Sequence, residues 1–505
     1  MTMRVAVIGA GHHGLVAAAR LTRRCEVVVL EASDRPGGGV RTDELTLPGF
    51  RHDTCSGFFP LTAASPVFRE LELGIEWVNP PVAMVHLTDA EGTGIALHRD
   101  LRLTARSLED CAFGAGRAWE SLVRTLWPHR EALIRTGLAR LPPLASAARL
   151  LVGLRARAIE LAPLALASSA SIGLQLFGDP LAAAWLAASG AHADLSPQSP
   201  GSGVFALGLN FLGHAVGWPF PRGGAGALTD ALLVRLRELG GELRTRAGAQ
   251  AIELAGSNSR VAAVRLRDGE RLPVDAVLCT LSPAPFLELL PAGALPGRVE
   301  RRLRHWRYGL GTAKLDWALS GTVPWSSHQA REAGVVHLGG PLDEITSSLV
   351  EANMGRFPER PALVVGQQSL HDRTRAPDGR HTLYAYARVP QRPGITDAEI
   401  AERIEDRIER FAPGFRTLVL GRSVRSPARI EADNRSMRGG DLASGSCELD
   451  QQLVFRPAPA LCRGRTPVRG LYAAGAWVHP GPGVHGVSGS TAADALLRDV
   501  RWRRR

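Results

Sequence analysis

An α/β fold with a parallel sheet is predicted by two features of the chain. The first is an amino-terminal strand, glycine-rich turn, helix and second strand, all within residues 1–42. The second is the return of short β-type runs between residues 242 and 280, after a long helical stretch, with one more run near residue 470. Strands that alternate with helices are typical of βαβ units. Because 505 residues exceed the usual size of one domain, we expect at least two domains.

The amino-terminal unit carries the pattern G-x-G-x-x-G at Gly9, Gly11 and Gly14, between an apolar run at 4–8 and a helix-forming run at 15–21. Gly9 permits the tight turn, Gly11 lets a pyrophosphate approach the backbone, and Gly14 lets the helix pack closely on the strand. The free N–H groups and the positive dipole end of that helix favour phosphate. The unit therefore predicts a dinucleotide-binding site.

An acid stands where such a site needs one. Glu31 follows the second apolar run, 27–30, and lies 20 positions after Gly11 (31 − 11). At that distance a carboxylate is expected to bind a ribose hydroxyl. The alternative is a glycine-rich turn without a ligand, and the strand, the helix and the acid together favour binding over it.

The residues after Glu31 decide which dinucleotide is expected. Residues 34–42, Asp-Arg-Pro-Gly-Gly-Gly-Val-Arg-Thr, resemble the flavoproteins with two dinucleotide-binding domains, in which Gly-Gly and often Arg follow the acid. An acid at the ribose also disfavours a 2′-phosphate, so FAD is preferred over NAD and NADP. The resemblance implies that FAD is also contacted by His13, Ala32, Gly38, Gly39, Arg41 and Thr42.

The carboxy-terminal segment makes the resemblance more specific. Residues 470–476 form an apolar run ending in glycine, and His479-Pro-Gly-Pro-Gly-Val-His-Gly-Val487 follows before a last helix. This segment resembles the flavin motif of the carotenoid (phytoene) desaturase-like FAD-dependent oxidoreductases, in the bacterial phytoene dehydrogenase-like branch. Residues 221–239, 372–377 and 439–441 match other phrases of that family, so the resemblance runs end to end. It implies further FAD contacts from Ala251, Gly475, Val484, Gly486 and Val487.

The full fold class expected is therefore a Rossmann-like FAD-binding domain with an interleaved α+β substrate domain. The FAD-binding domain is expected to be discontinuous, with residues 1–75, 215–285 and 465–505. The substrate-binding domain, with its helical subdomain, is expected to take residues 76–214 and 286–464.

The expected function is dehydrogenation, that is desaturation, of an organic substrate, hydrophobic or a secondary metabolite, with hydride passing to the flavin. No second G-x-G-x-x-G follows a strand, so no built-in NAD(P)H site is expected. The expected partners are a small-molecule substrate and an external electron acceptor, such as oxygen or a quinone. Two alternatives stay open. One is a flavin amine oxidase, and the other is a non-catalytic protein on the same fold that binds a lipid or prenyl group.

Two residues are candidates for catalysis. His485 lies in the carboxy-terminal loop that the family places beside the flavin ring, and its alternative is a structural loop histidine. Lys314 lies in a run, 308–317, that resembles the flavin amine oxidase strand whose lysine is bridged by water to the flavin. Strand alternation puts Lys314 on one face with Thr312 and Asp316. Its alternatives are a surface lysine and a buried pair with Asp316.

Composition excludes several classes of protein. The net charge is +11, but Lys314 is the one lysine and the arginines are spread along the chain, so no nucleic-acid partner is expected. The dense basic run 501–505 is expected to be a frayed tail. The six cysteines have no metal-ligand spacing, which predicts no metal site and reduced thiols in a cytoplasmic protein. No signal peptide or membrane span is evident. We expect at most peripheral membrane contact, and no pattern indicates an oligomeric state.

Overall fold

The computed structural model of the protein describes residues 2–256 and 260–503, with side chains described as far as residue 500; Arg504 and Arg505, at the end of the basic tail, lie outside the described residues. The strands in chain order are β1 Arg4–Ile8, β2 Glu26–Leu30, β3 Thr42–Asp43, β4 His52–Asp53, β5 Trp77–Val78, β6 Val82–Leu87, β7 Gly94–Leu97, β8 Phe220–Pro221, β9 Glu242–Arg244, β10 Ala249–Ala255, β11 Arg260–Leu266, β12 Arg271–Pro273, β13 Ala276–Cys279, β14 Gly311–Leu319, β15 Ala333–Leu338, β16 Leu363–Gly366, β17 His381–Val389, β18 Val419–Arg425 and β19 Leu471–Ala473.

The α-helices begin and end as follows, with short 3₁₀ turns between some of them. They are α1 His12–Leu21, α2 Pro60–Ala64, α3 Pro66–Leu71, α4 Leu101–Cys111, α5 Ala115–Leu126, α6 Arg130–Gly137, α7 Leu144–Leu154, α8 Arg157–Leu161, α9 Ser169–Phe177, α10 Pro180–Gly190, α11 Ser202–Ala215, α12 Gly226–Glu238, α13 Pro283–Glu288, α14 Gly297–Arg304, α15 Leu342–Asn353, α16 Asp397–Phe411, α17 Pro427–Asp433 and α18 Val487–Arg503.

A parallel sheet with the strand order β19-β13-β1-β2-β9 carries the amino-terminal motif. Val5 and Val7 point into a core shared with α1, α12 and α18, whereas Ala6 and Ile8 point into a second core against β10 to β12. Both faces are therefore covered, as the continuous apolar run of β1 predicts. The sheet draws strands from three separated parts of the chain, which confirms the predicted Rossmann-like fold class; the exact domain boundaries stay a prediction.

The second large sheet has the order β18-β14-β17-β16-β15-β6-β7. In β14, which lies between the edge strand β18 and β17, Ala313, Leu315 and Trp317 pack with α16 in one core, and alternate residues face the other way. That alternation is the one expected for the strand of Lys314. The strand begins at Gly311, three residues after the start of the 308–317 run, and the helices α13 and α14 before it are separated at 289–296.

Helices α4 to α11, between residues 101 and 215, account for the long helical stretch expected before residue 242 and form a helical subdomain. Among the described residues, no helix is both long enough and apolar enough to cross a lipid bilayer. The cysteines form no disulfide within the described chain.

Candidate functional site

A single continuous cavity of about 1410 Å³ contacts both large sheets and the helical subdomain. Ordinary ligand pockets measure about 300–1,000 Å³. The cavity begins at the carboxyl ends of β1 and β2, where open parallel sheets bind their ligands. It continues along β17 and ends among the helices α5 to α8 and α11. Its size and shape leave room for a dinucleotide and for a second, elongated molecule.

The turn after β1 and the acid after β2 form the dinucleotide end of the cavity. Glu31 accepts hydrogen bonds from the backbone N–H groups of Ala10, at 2.9 Å, and Ser33, at 3.0 Å, so its carboxylate is held at the cavity wall. Gly11 lies just before α1, and no described heavy atom lies within 4 Å of the position that a Cβ would take there. The backbone at Gly11 is therefore open to a close ligand.

His12 and His13 open helix α1 at this point and also line the cavity. Nε2 of His12 is buried and has no hydrogen-bond partner among the described residues, whereas His13 interacts with the backbone of Gly486. Burial, with His485 nearby, lowers the pKa of His12 to about 3 and holds the pKa of His13 well below its usual value. Unsatisfied donors at a helix amino terminus fit the pyrophosphate of FAD, so the residues present fit this cofactor.

Most of the predicted cofactor residues line the cavity, and some do not. Those that line it are Gly9, Gly11, His13, Glu31, Ala32, Gly38, Gly39, Arg41, Gly475, Val484 and His485. Those that do not are Gly14, Thr42, Ala251, Gly486, Val487 and Lys314. The individual contacts with FAD stay predictions for both sets, and the residues of the second set make structural contacts of their own.

Gly14 and Gly486 are packing glycines. A Cβ at Gly14 would overlap the carbonyl oxygen of Gly9, which is the close helix–strand packing expected from the motif. Gly486 has a φ of +71°, and a Cβ there would lie 3.2 Å from the side chains of Val16 and Val67 rather than in the cavity. Val487 is buried in the same core, 3% exposed.

Thr42 and Ala251 are displaced from the cavity for different reasons. The Thr42 hydroxyl donates to Asp53 Oδ1 at 2.7 Å and accepts from the N–H of Gly226 at 2.9 Å, so it ties the loop to α12. In β10 the pairing register shifts between Ala249 and Ala251. The strand meets the cavity at Ala249 and Gln250 instead.

His485 lines the cavity, but both of its ring nitrogens are engaged by the backbone of its own loop. Nε2 donates to the carbonyl oxygen of Gly481 at 3.0 Å, and Nδ1 accepts from the N–H of Val487 at 3.1 Å. Burial lowers the pKa of His485 to about 4. A neutral imidazole with two backbone partners holds the loop against the start of α18, as the structural alternative predicts; the catalytic role stays untested.

Lys314 takes one of the alternatives left open by the sequence. Its ammonium group is buried, donates to Asp316 Oδ1 at 2.5 Å, and lies 4.9 Å from the ring centroid of Tyr384. His52 Nδ1 lies 3.6 Å from the same Asp316 oxygen. Lys314 therefore forms a buried ion pair with Asp316 behind the cavity wall, and its side chain does not line the cavity.

The sequence reasoning missed a polar cluster on the cavity face of β17. Tyr384, Tyr386 and Arg388 alternate along that strand and all line the cavity, as does His192 from the turn after α10. The period-two spacing of two tyrosines and an arginine was the signal that could have revealed them. Nothing local to His192 marks it, because its place depends on how α10 packs.

The far end of the cavity is apolar. Leucines from α5 to α8 and α11 line it, and Leu151 and Val204 are both lining and partly exposed to solvent, which puts the mouth of the cavity beside them. On α7 and α8, which also line the cavity, Leu144, Val152 and Ile159 are 73%, 76% and 80% exposed. Isolated exposed apolar residues are ordinary, but several together mark an interaction surface.

The comparison with known families agrees with this geometry. The family described as flavin containing amine oxidoreductase matches residues 14–497. Among curated proteins, the chain is 28% identical to pyridine nucleotide-disulfide oxidoreductase domain-containing protein 2 of Mus musculus, with 98% of this chain and 93% of that protein covered. It is also 28% identical to the zeta-carotene-forming phytoene desaturase of Myxococcus xanthus, with 95% and 91% covered.

Solved structures show the same fold at low sequence identity. An oxidoreductase from Methanosarcina mazei superposes with a TM-score of 0.66 at 17% identity, over 98% of this chain and 100% of that one. A putrescine oxidase variant superposes with a TM-score of 0.62 at 16% identity, with 99% of each chain covered. The predicted resemblance to phytoene desaturases and the predicted FAD cofactor are confirmed. The chain belongs to the flavin-containing amine oxidoreductase family, and its cofactor is FAD.

Proposed function

We propose that the protein is a FAD-dependent dehydrogenase that removes two hydrogens from an apolar organic substrate. The observation that carries the proposal is the continuity of the dinucleotide site with the apolar channel in one cavity. When bound, FAD supplies the hydride-accepting chemistry that side chains lack. The chain contributes binding, orientation and the exclusion of water.

Each part of the cavity has a definable task in this proposal. Glu31 is held by backbone N–H groups in a position to accept from a ribose hydroxyl, and the start of α1 presents free donors to phosphate. The leucines of the channel, including Leu133, Leu154 and Leu161, remove the apolar substrate from water. Because the chain has no second dinucleotide motif, an external acceptor such as oxygen or a quinone completes the cycle.

The charges around the cavity favour this function over amine oxidation. The acids that line it, among the described residues, are Glu31, Glu288 and Asp433. Glu288 pairs with Arg435 at 2.7 Å and Asp433 pairs with Arg425 at 2.9 Å, while Glu31 accepts from backbone amides. No lining acid in the described chain is left to pair with a substrate ammonium group, which would be costly to bury unpaired.

The mouth of the cavity supports delivery of the substrate from a lipid surface. The exposed apolar side chains of α7 and α8 stand next to Arg149, Arg155 and Arg157, which are also exposed. Apolar side chains flanked by arginine suit insertion into an anionic bilayer interface. We infer peripheral contact of this surface with anionic lipid, with the channel mouth facing the membrane.

A block placed in the channel tests the proposed function. Gly208 of α11 lines the cavity and has open space around its Cβ position, so the side chain of Gly208→Phe starts in the channel and is expected to block it. The FAD-loaded protein is incubated with a total lipid extract and an acceptor, and the products are identified by mass spectrometry. We expect a product lighter by two hydrogens with the wild type and not with Gly208→Phe. Equal product from both proteins would contradict the channel as the substrate site.

The matched control is Gly297→Phe. Gly297 begins α14, has equally open space around its Cβ position and does not line the cavity. This variant is expected to form product at the rate of the wild type, and both variants are expected to retain FAD.

A further inference from the structure

Three neutral polar side chains, joined by hydrogen bonds, lie at the wall of the cavity. Neither the cofactor site nor the apolar channel, as described above, uses them. Tyr386, Val364 and His337 are direct cross-strand neighbours on β17, β16 and β15. His192 enters above them, with Nδ1 3.1 Å from the Tyr386 hydroxyl and Nε2 2.9 Å from Nε2 of His337. Trp218 covers His192 edge-on, with the ring centroids 5.7 Å apart. Tyr386, His192 and Trp218 line the cavity, so the hydroxyl–imidazole pair is open to a ligand.

The hydrogen-bonded side chains of Tyr386, His192 and His337 can arrange their protons in two ways, and all three stay neutral in both. In one, Tyr386 donates to His192, which donates to His337, and the tyrosine oxygen offers its lone pairs to the cavity. In the other, His337 donates to His192, which donates to Tyr386, and the tyrosine proton is directed elsewhere. Nδ1 of His337 has no hydrogen-bond partner among the described residues, so no hydrogen bond at that nitrogen selects one arrangement over the other. The Tyr386 hydroxyl is thus able to accept from a ligand or to donate to one.

The nearest full charge is already satisfied. Arg388 lines the cavity beside Tyr386, but its Nε pairs with Asp194 at 2.6 Å and its Nη1 donates to Thr312 at 2.7 Å. Its Nη2 donates to the carbonyl oxygen of His192 at 3.2 Å. The charge of Arg388 is paired with Asp194, and its two Nη groups hold Thr312 and the backbone of His192, so Arg388 fixes the turn that carries His192.

Burial keeps the cluster uncharged near neutral pH. It lowers the pKa of His192 to about 3, with Arg388 contributing, and it holds the pKa of His337 well below its usual value. Burial also raises the pKa of Tyr386 to about 12. A charged ligand group would find no counter-ion here, whereas a neutral donor or acceptor would find a complementary partner.

We propose that Tyr386 and His192 form a binding subsite for an uncharged oxygen group, a hydroxyl or a carbonyl, on an otherwise apolar substrate. The inference rests on the proposed function for its choice of channel and substrate. It narrows the substrate from any hydrocarbon to a lipid-like molecule with one neutral polar group. The Tyr386 hydroxyl can make a second hydrogen bond beside the one to His192, and a pure hydrocarbon leaves it unmade, so the subsite discriminates against the hydrocarbon.

Binding of four matched probes tests the subsite. Dodecanol, dodecane, dodecylammonium and dodecanoate share one chain length and differ in the terminal group. Each is titrated into the FAD-loaded protein and its affinity is measured by competition against a fluorescent fatty alcohol. We expect the alcohol to bind roughly 2- to 12-fold more tightly than the alkane, the effect of one neutral hydrogen bond. We also expect it to bind more tightly than either charged probe. Equal affinity for alcohol and alkane, or tighter binding of a charged probe, would overturn the proposal.

Two tyrosine variants assign the preference to a side chain. Tyr386→Phe is expected to abolish the preference for alcohol while leaving the affinity for dodecane unchanged. Tyr384→Phe is the matched control, because Tyr384 lies two residues away on the same strand and also lines the cavity, and it is expected to keep the preference. A preference that survives in Tyr386→Phe would refute the subsite. If Tyr386→Phe fails to fold, Tyr386→Leu removes the same hydroxyl and carries the same expected outcome.

The result separates this subsite from the proposed function. If the protein prefers the alcohol but forms no dehydrogenated product from any lipid, the subsite is supported and the proposed dehydrogenase function is refuted. A protein that dehydrogenates a lipid but shows no preference would sink the subsite alone.

Discussion

The substitution Gly11→Ala separates binding of the cofactor from folding of its domain. Gly11 precedes α1 with φ of −70° and ψ of 169°, a backbone conformation that alanine adopts without strain. The Cβ of the new residue would enter open space at the cavity wall rather than protein. We therefore expect Gly11→Ala to fold normally and to bind FAD poorly.

The expected magnitudes follow from that geometry. Removing a glycine at a compatible conformation restricts the unfolded chain and stabilises by about 0.4–1 kcal/mol. In the complex, one extra methyl group against a pyrophosphate is overpacking, which costs roughly 1–3 kcal/mol. That cost corresponds to FAD affinity about 5- to 150-fold weaker.

The assay has two readouts, the melting temperature of the FAD-free protein and the dissociation constant of FAD from flavin fluorescence. Gly14→Ala is the matched control, because its Cβ would overlap the carbonyl oxygen of Gly9 inside the fold. We expect that variant to lower the melting temperature of the FAD-free protein by several degrees, whereas Gly11→Ala does not. FAD binding by Gly11→Ala at the wild-type affinity would refute the placement of the pyrophosphate beside Gly11.

Four further outcomes are expected. Glu31→Ala weakens FAD binding by about 1–3 kcal/mol in equilibrium titration, because it removes a charged acceptor, and unchanged affinity would mean that the ribose lies elsewhere. Lys314→Met lowers the melting temperature, because it leaves the buried carboxylate of Asp316 without its lysine, and the second substitution Asp316→Asn restores the melting temperature. If the double variant reoxidises its flavin at the wild-type rate, Lys314 has a structural role only. Stability falls as the pH drops from about 6.5 to 4. Burial lowers the pKa of His86 and His214 to about 4, so the unfolded state binds more protons in that window. Each of these two histidines lowers the free energy of unfolding by about 2 kcal/mol by about pH 5. A melting temperature that stays constant between pH 6.5 and 4 would contradict this. Val152→Glu abolishes flotation with anionic vesicles but not flavin content, and unaltered flotation would exclude this surface.

Features that depend on short-range sequence could be predicted. The strand, turn and helix around Gly11 and the acid at Glu31 are local, because each part of the motif has its own steric or electrostatic requirement. The alternation around Lys314 followed from strand geometry alone. The FAD cofactor and the fold class were predictable for these reasons.

The remaining features depend on tertiary packing. A register shift in β10 moves the cavity contact from Ala251 to its neighbours, and a bulge has no sequence signature here. The orientation of Lys314 away from the cavity depends on Asp316 and on His52 from a distant strand. His192 meets Tyr386 only because the turn after α10 and strand β17, separated by almost two hundred residues in the sequence, come together in the fold.

Anaerobic reduction of the bound flavin tests the proposed dehydrogenase most directly. The FAD-loaded protein is mixed without oxygen with lipid fractions on the one hand and with putrescine and cyclohexylamine on the other, and bleaching of the flavin is followed by absorbance. The proposed function predicts bleaching by a lipid fraction, formation of a product lighter by two hydrogens, and no bleaching by either amine. Bleaching by an amine with none by any lipid fraction would contradict it and favour an amine oxidase.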